Sequence, residues 1–330
     1  MRICVYGAGA IGGLIAAGLA RSGHEVSVIA RGAHLEAIRA GGLRVCSRET
    51  GNTEVYAVRA EQEPARLGPQ DYVVVAVKAQ SLSEVGERIA PLVGKDTSII
   101  TAMNGVPWWF FHRLGFGSGT QRLESLDPGG KLERAMPTER ILGCVIHLAA
   151  STPEPGLVSH NMGRKLILGE PGGRNTARTK HIAEALSAAG FEVIVTDAIE
   201  KEFWVKLLGN VSFNPVSALT MSTADRLIAN ADVRAYMVSI MREVLAIGRA
   251  VGVDAAIEPE ARLDMARVLG PFKTSMLQDL EAGKPLEIDG LLAGTLEIAA
   301  KAGVQAPYTE SLFGLIRMRA ISTNQYQPAR

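Results

Sequence analysis

Residues 1–13 read MRICVYGAGAIGG. Residues 1–6 are a short apolar run of strand type. The run breaks into Gly7-x-Gly9-x-x-Gly12, and residues 11–19 continue at helical spacing. In such a turn the first glycine permits the sharp reversal. The second lets the backbone approach a pyrophosphate, and the third lets the helix lie close on its strand. The helix N-terminus then faces the anion. A glycine triplet alone is weak evidence, but between a strand and a helix it predicts dinucleotide binding. Gly7, Ala8, Gly9, Ala10, Ile11 and Gly12 are therefore the expected cofactor turn; the alternative is a structural glycine turn in another α/β unit.

Residues 25–30 (EVSVIA) predict the second strand. An NAD-binding fold usually ends this strand with an acid that holds the ribose 2′-OH. Here it ends in Ala30-Arg31-Gly32, and the first acid after it is Glu36. A guanidinium at that point suits a 2′-phosphate through charge-assisted contacts, so Arg31 predicts NADP(H). The alternative for Arg31 is a solvated surface charge.

The chain has 330 residues, enough for two domains with ample core. Lys plus Arg (35) nearly balances Asp plus Glu (34), which gives no electrostatic reason to expect nucleic acid or an anionic membrane as partner. Cys4, Cys46 and Cys144 are far apart and form no metal-type cluster, a usage that fits a reducing cytoplasm. No leader of signal-peptide type precedes the first strand, and no apolar run reaches membrane-spanning length.

Along the chain, strands and helices alternate up to residue 195, which predicts an α/β domain with a doubly wound, Rossmann-type parallel sheet. Further strands are expected at 71–77, 97–102, 141–149 and 165–168, with helices at 34–40, 82–92 and 179–189. From about residue 200 long helical stretches take over, so the boundary is placed at 197, with domains 1–197 and 198–330. Residues 108–137, beginning Trp108-Trp109-Phe110-Phe111, read as a long excursion. The expected uses of the aromatic row are a pocket wall, a subunit contact or an extra core patch. The polar tail after Ile321 predicts fraying.

Ligands of open α/β sheets bind at the carboxyl ends of strands. Lys78 and Asn104 stand at two such ends; a surfacing lysine and a plain Asn-Gly turn are the simpler explanations. Residues 203–215 (FWVKLLGNVSFNP) carry a sharper signal. Lys206, Asn210 and Asn214 are spaced i, i+4, i+8 and share one face of an otherwise apolar helix. An amine and two carboxamides there need partners, which the oxygens of a small substrate can supply; a solvent-facing stripe is the alternative. Downstream, Ser275 suits a helix cap and Glu287 a first-turn acid.

Taken together, GAGAIG at 7–12, VK-x-Q at 77–80, the Asn104-Gly105 pair, K-x-x-x-N-x-x-x-N-P at 206–215, SM-x-QD at 275–279 and EID at 287–289 resemble the ketopantoate reductases (2-dehydropantoate 2-reductases), across nearly the whole chain. The resemblance implies a Rossmann domain followed by an all-α domain like that of 6-phosphogluconate dehydrogenases. It implies NADPH-dependent reduction of a 2-keto acid, with 2-dehydropantoate to pantoate, a step of pantothenate biosynthesis, as the leading reaction. Lys206 matches the family's general acid. Asn210, Asn214 and Ser275 match substrate-binding positions. Lys78, Asn104 and Glu287 match positions at the nicotinamide end and catalytic cleft, and Ala149 is counted with the cofactor set. Two departures stand out. An asparagine usual in the family after the Asn-Pro pair is replaced by Met221-Ser222-Thr223-Ala224-Asp225, and the aromatic excursion follows Asn104-Gly105 directly. Two other readings stay open: a reductase of a bulkier 2-keto acid, and a non-catalytic NADP(H)-binding sensor. A homodimer through the helical domain is one assembly the sequence allows.

Overall fold

The computed structural model describes residues 1–112, 114–117, 122–268 and 270–326. The chain forms two compact units. One comprises Met1–Met103 and Gly129–Ile199, the other Asn104–Pro128 and Glu200–Arg330. The chain thus passes between units at three places, the last of them close to the boundary expected at 197. The aromatic segment at 108–111 belongs to the helical unit.

The first unit runs β1 (Arg2–Tyr6), α1 (Ala10–Arg21), β2 (Glu25–Ile29), α2 (Gly32–Gly41), β3 (Leu43–Ser47), β4 (Thr53–Tyr56), β5 (Arg59–Glu61), β6 (Gln70–Val75), α3 (Leu82–Arg88), β7 (Val93–Thr101), α4 (Lys131–Ala135), β8 (Ile141–Glu154), β9 (Leu157–Gly169), α5 (Ala177–Ala188) and β10 (Glu192–Val195). Its strands join in the order β4-β3-β9-β8-β7-β6-β1-β2-β5, with β10 also on β9. β1, the central strand of the dinucleotide turn, pairs in parallel with β2 and β6. Connections leave β1 in both directions, which opens the crevice of a doubly wound sheet at its carboxyl end. The central strands are runs of Val and Ile, buried on both faces as a helix-covered parallel sheet requires.

The sheet is mixed rather than all parallel. β8 and β9 form a long antiparallel hairpin, and β3 and β4 are also antiparallel. Both hairpin strands outrun the expected 141–149 and 165–168. Residues 151–155 (STPEP) have loop composition, but their backbone still pairs out to Glu154 opposite Leu157. Gly156 closes the hairpin at φ 76°.

The second unit contains α6 (Ile199–Thr220), α7 (Ala224–Ala229), α8 (Ala231–Ala250), α9 (Pro259–Val268), α10 (Ser275–Glu281), α11 (Gly294–Ala302) and α12 (Pro307–Ser322). α6 extends beyond the expected 203–215 at both ends and carries Glu200 and Glu202 in its first turn, where acids favour the helix dipole. Trp204 anchors α6 to α8 by donating Nε1–H to the Val244 carbonyl at 3.1 Å. Trp108, Trp109, Phe110 and Phe111 are all buried. Phe110 stacks on Trp204, and Trp109 meets Phe203 edge to face at 5.4 Å. The aromatic row is a core patch. Within the excursion, Arg113 and residues 118–121 lie outside the described residues.

Fraying of the tail is corrected by the structure up to residue 326. Gln325 is buried, and its Nε2 donates to the carbonyls of Asp279 (3.0 Å) and Lys284 (2.7 Å). Tyr326 donates its hydroxyl to Asp289 Oδ1 at 2.7 Å. Polar residues here are caps on neighbouring backbone rather than solvent contacts. Residues 327–330 lie outside the described residues. Among the described residues no helix is long and apolar enough to cross a membrane.

Candidate active site

The glycine turn follows β1 and opens a cleft of about 290 Å³, lined among others by Gly7, Ala8, Gly9, Ala30, Arg31, His34, Gln62, Glu84 and Arg88. Gly7 has φ 103°, and a Cβ there would sit 2.8 Å from the Ala76 carbonyl oxygen. A Cβ on Gly12 would sit 2.0 Å from the Gly7 oxygen, so the third glycine permits close helix–strand packing. Nothing lies within 4 Å of where a Gly9 Cβ would be; that is open space at the helix start. Gly7 and Ala8 use their N–H groups on the Ile29 carbonyl. The first-turn N–H groups of Ala10, Ile11 and Gly12 have no intrahelical acceptor. α1 has no side-chain cap and no acid in its first turn. This cradle fits a pyrophosphate.

His34 was legible only as the start of a helix, yet it fixes this turn. Its Nδ1 accepts from Gly156 N–H at 3.0 Å, so Nε2 carries the proton and donates to the Ala8 carbonyl at 2.7 Å. Arg31 stands at the cleft with its side chain 57% exposed and pairs with Glu84 at 2.6 Å. The same carboxylate pairs with Arg88 at 3.0 Å. Lys78 precedes a short 3₁₀ turn, Ala79–Ser81, between cleft-lining Val77 and Ser81. Ala149 lies in β8 opposite Met162 and is not among the cleft-lining residues.

The other predicted residues gather in the helical unit. Lys206 Nζ donates to Asn104 Oδ1 at 2.7 Å. Asn104 is held there by its neighbour. Gly105 has φ 85°, and a Cβ on it would press 2.4 Å against the Gly290 carbonyl oxygen. Val106 N–H donates to that same oxygen at 2.8 Å. The Asn-Gly pair is therefore a docked turn, with a glycine required by both conformation and contact. Asn104, Asn214, Ser275, Asp279 and Glu287 line one small concavity. Asn214 is 7% exposed, and among the described residues its carboxamide has no hydrogen-bond partner. Asn210, one turn back on α6, is half-buried and likewise without a protein partner among the described residues. Carboxamides that no described residue pairs are free to donate to and accept from a bound ligand.

Two details depart from expectation. The cap of α10 is Thr274, whose Oγ1 accepts from Leu277 N–H at 3.2 Å. Ser275 is thereby left exposed at the concavity, with its hydroxyl uncommitted among the described residues. Glu287 precedes a short π-helical turn, Asp289–Ala293, rather than entering an α-helix. Gly209, in the interior of α6, costs about 1 kcal/mol relative to alanine. Its space is filled by Arg262 from α9, a residue that sequence spacing did not single out.

Comparisons with known proteins give the family of the chain. The family model described as ketopantoate reductase PanE/ApbA matches residues 3–173, and its C-terminal counterpart matches residues 198–320. A 2-dehydropantoate 2-reductase from Mesorhizobium japonicum is 43% identical over 327 residues, covering 99% of this chain and all of that protein. A solved structure from Ralstonia solanacearum MolK2 superposes with TM-score 0.94 at 46% identity, covering 98% of this chain and 99% of that one. The crystal structure of 2-dehydropantoate 2-reductase from Geobacter metallireducens GS-15 follows with TM-score 0.85 at 32% identity, covering 97% and 100%. With both halves of the chain matched and the relatives aligned end to end, the chain belongs to the ketopantoate reductase family.

Proposed function

We propose that this protein reduces a 2-keto acid to the 2-hydroxy acid with NADPH, and that 2-dehydropantoate is its substrate. The observation that carries the reading is the row on α6: an amine fixed by Asn104, followed by two carboxamides that no described residue satisfies. A sensor needs no such proton donor. The aromatic row is packed in the core and gives no support to a bulkier substrate.

Bound reduced nicotinamide dinucleotide supplies the hydride that adds to C2 of the keto acid. Lys206, as an ammonium, donates a hydrogen bond to the keto oxygen, stabilises the charge that develops there, and gives up its proton to form the alcohol. Asn104 accepts from the same nitrogen at 2.7 Å and aims it. Asn214 and Ser275 offer donors and acceptors for the substrate's oxygens, and Asn210 continues the row. Glu287 closes the wall beside Asn104. The cradle formed by Gly9, Ala10, Ile11 and Gly12 would hold the pyrophosphate, with Lys78 beside the cleft.

Preference for NADPH is supported by the end of β2, where Ala30 and Arg31 stand in place of a ribose-binding acid. The Arg31–Glu84 pair is exposed and therefore worth little. A 2′-phosphate can take Glu84's place on the guanidinium at small cost.

The test is NADPH oxidation measured against a panel of 2-keto acids. The reading expects 2-dehydropantoate to give the highest kcat/KM. Faster turnover of another 2-keto acid would move the substrate assignment. Tight NADPH binding without turnover on any acid would favour the sensor.

A further inference from the structure

The polar segment after α12 reaches back toward the site. Gln325 is 4% exposed. Its Nε2 donates to the carbonyls of Lys284 at 2.7 Å, Asp279 at 3.0 Å and Leu280 at 3.3 Å. Asp279 and Leu280 stand in the last turn of α10, where carbonyls have no donor from their own helix. The Gln325 amide therefore caps α10. Its main chain is engaged as well: the N–H donates to the Ala320 carbonyl at 2.8 Å, and the carbonyl accepts from Leu286 N–H at 3.0 Å. Next to it, Tyr326 donates its hydroxyl to Asp289 Oδ1 at 2.7 Å. The Arg317 guanidinium lies over the Tyr326 ring, 5.9 Å from its centroid. Burial and the bond to Asp289 push that hydroxyl up to about 12, so it stays a donor across the neutral range. Two consecutive residues thus tie α12 to the stretch from Asp279 to Asp289.

The stretch they hold bears on the chemistry. Asp289 opens the π-helical turn Asp289–Ala293. Such turns are rare and recur at functional sites. The next residue, Gly290, is the one on which the Asn104 turn is docked. Its carbonyl accepts from Val106 N–H at 2.8 Å, and Gly105 packs against it so closely that a Cβ there would lie 2.4 Å from the same oxygen. Asn104 in turn accepts from Lys206 Nζ at 2.7 Å. Contacts therefore run from Tyr326 through Asp289 and Gly290 to Asn104 and Lys206, all inside the helical unit. Neither Gln325 nor Tyr326 lines the concavity itself. A catalytic group displaced by about 1 Å by a change far from the chemistry can lose about a hundredfold in rate.

We propose that Gln325 and Tyr326 are positioning residues: by holding residues 284–290 they set Asn104, and through it the Lys206 ammonium, where it can give its proton to the keto oxygen. The proposal rests on the reductase reading of Lys206. Because the two residues act on geometry and not on ligand binding, their effect falls on kcat.

The experiment compares Y326F and Q325M with wild type, each also in an N104A background. It records kcat and KM for 2-dehydropantoate, the NADPH dissociation constant, melting temperature, and amide hydrogen exchange at Val106. Y326F removes one oxygen and keeps the ring under Arg317, which keeps the test open should Q325M fail to fold. In each folded variant kcat is expected to fall about fivefold to a hundredfold, with KM and NADPH affinity little changed. Exchange at Val106 should quicken about tenfold or more, while the amides of α8 stay as slow as in wild type. In the N104A background neither change should lower kcat further, since the link to Lys206 is already cut. Unchanged kcat in folded Y326F overturns the proposal, and so does unchanged exchange at Val106. Equal losses with and without Asn104 also overturn it, because a merely structural role would act in both backgrounds. If wild type reduces no 2-keto acid, the reductase reading falls and exchange decides: quickened exchange at Val106 leaves the tie from Tyr326 to the Asn104 turn standing, and unchanged exchange defeats both.

Discussion

Single side chains divide the labour. In the proposed reading Arg31 is the residue on which the choice of dinucleotide turns, because it occupies the position where an NAD-binding sheet keeps an acid. Among the described residues its ion-pair partner is Glu84, which is shared with Arg88. Arg31→Ala should raise KM for NADPH by about tenfold or more while changing KM for NADH little, since one charge-assisted contact to a phosphate is worth about 1.5–3 kcal/mol. Steady-state kinetics with both cofactors checks this; equal effects on the two would remove Arg31 from the phosphate site. The place of Arg31 at the cleft was legible in the sequence because it is local, a fixed distance beyond the glycines. His34, Arg262 and Gly105 were not. Their roles depend on Ala8 and Gly156, on Gly209, and on Gly290, contacts set by the tertiary fold.

At the level of elements, the start of α5 shows how polar groups are made safe inside the sheet-bearing unit. Glu170, buried at the end of β9, accepts from Thr176 N–H, Thr176 Oγ1 and Thr179 Oγ1, each at 2.7 Å, and from Arg178 Nη2 at 2.6 Å. Burial alone pushes its carboxyl up. The hydrogen bonds from Arg178, Thr179 and Thr176 outweigh burial and hold it below the ordinary carboxylate range. The folded chain therefore holds this proton less readily than the unfolded chain. The stabilisation is complete above the ordinary glutamate pKa and is lost as pH falls through the lower folded value. Glu170→Ala should cost roughly 1.5–3 kcal/mol at pH 7, and the difference from wild type should shrink as denaturation is followed into acid. A constant difference across that window would show that the carboxylate charge contributes nothing. The helix itself was legible from its periodicity, but its cap was not, because the capping acid comes from the preceding strand. The β8–β9 hairpin was underestimated for a similar reason: its Ser/Thr/Pro segment owes its extension to the partner strand.

At the scale of the whole molecule the two units have separate cores, one around β1, β6 and α1, the other around α6 and α8. The change from alternating strands to long helices announced that division. It did not announce that Asn104 and the aromatic row after it belong to the helical unit, since a strand end looks alike whichever unit its following loop joins. Trp109 is fully buried there against Phe203. Trp109→Ala should destabilise the helical unit by about 3–5 kcal/mol, read by chemical denaturation; a change under 1 kcal/mol would mean that this aromatic cluster is not a packed core. In the proposed reading the same division separates cofactor binding from proton donation. The measurement that tests it most directly is turnover and NADPH affinity of Lys206→Ala, determined side by side. The account predicts kcat on 2-dehydropantoate lower by about 10²–10⁴-fold with the NADPH dissociation constant little changed. Near-normal turnover in that variant would contradict it.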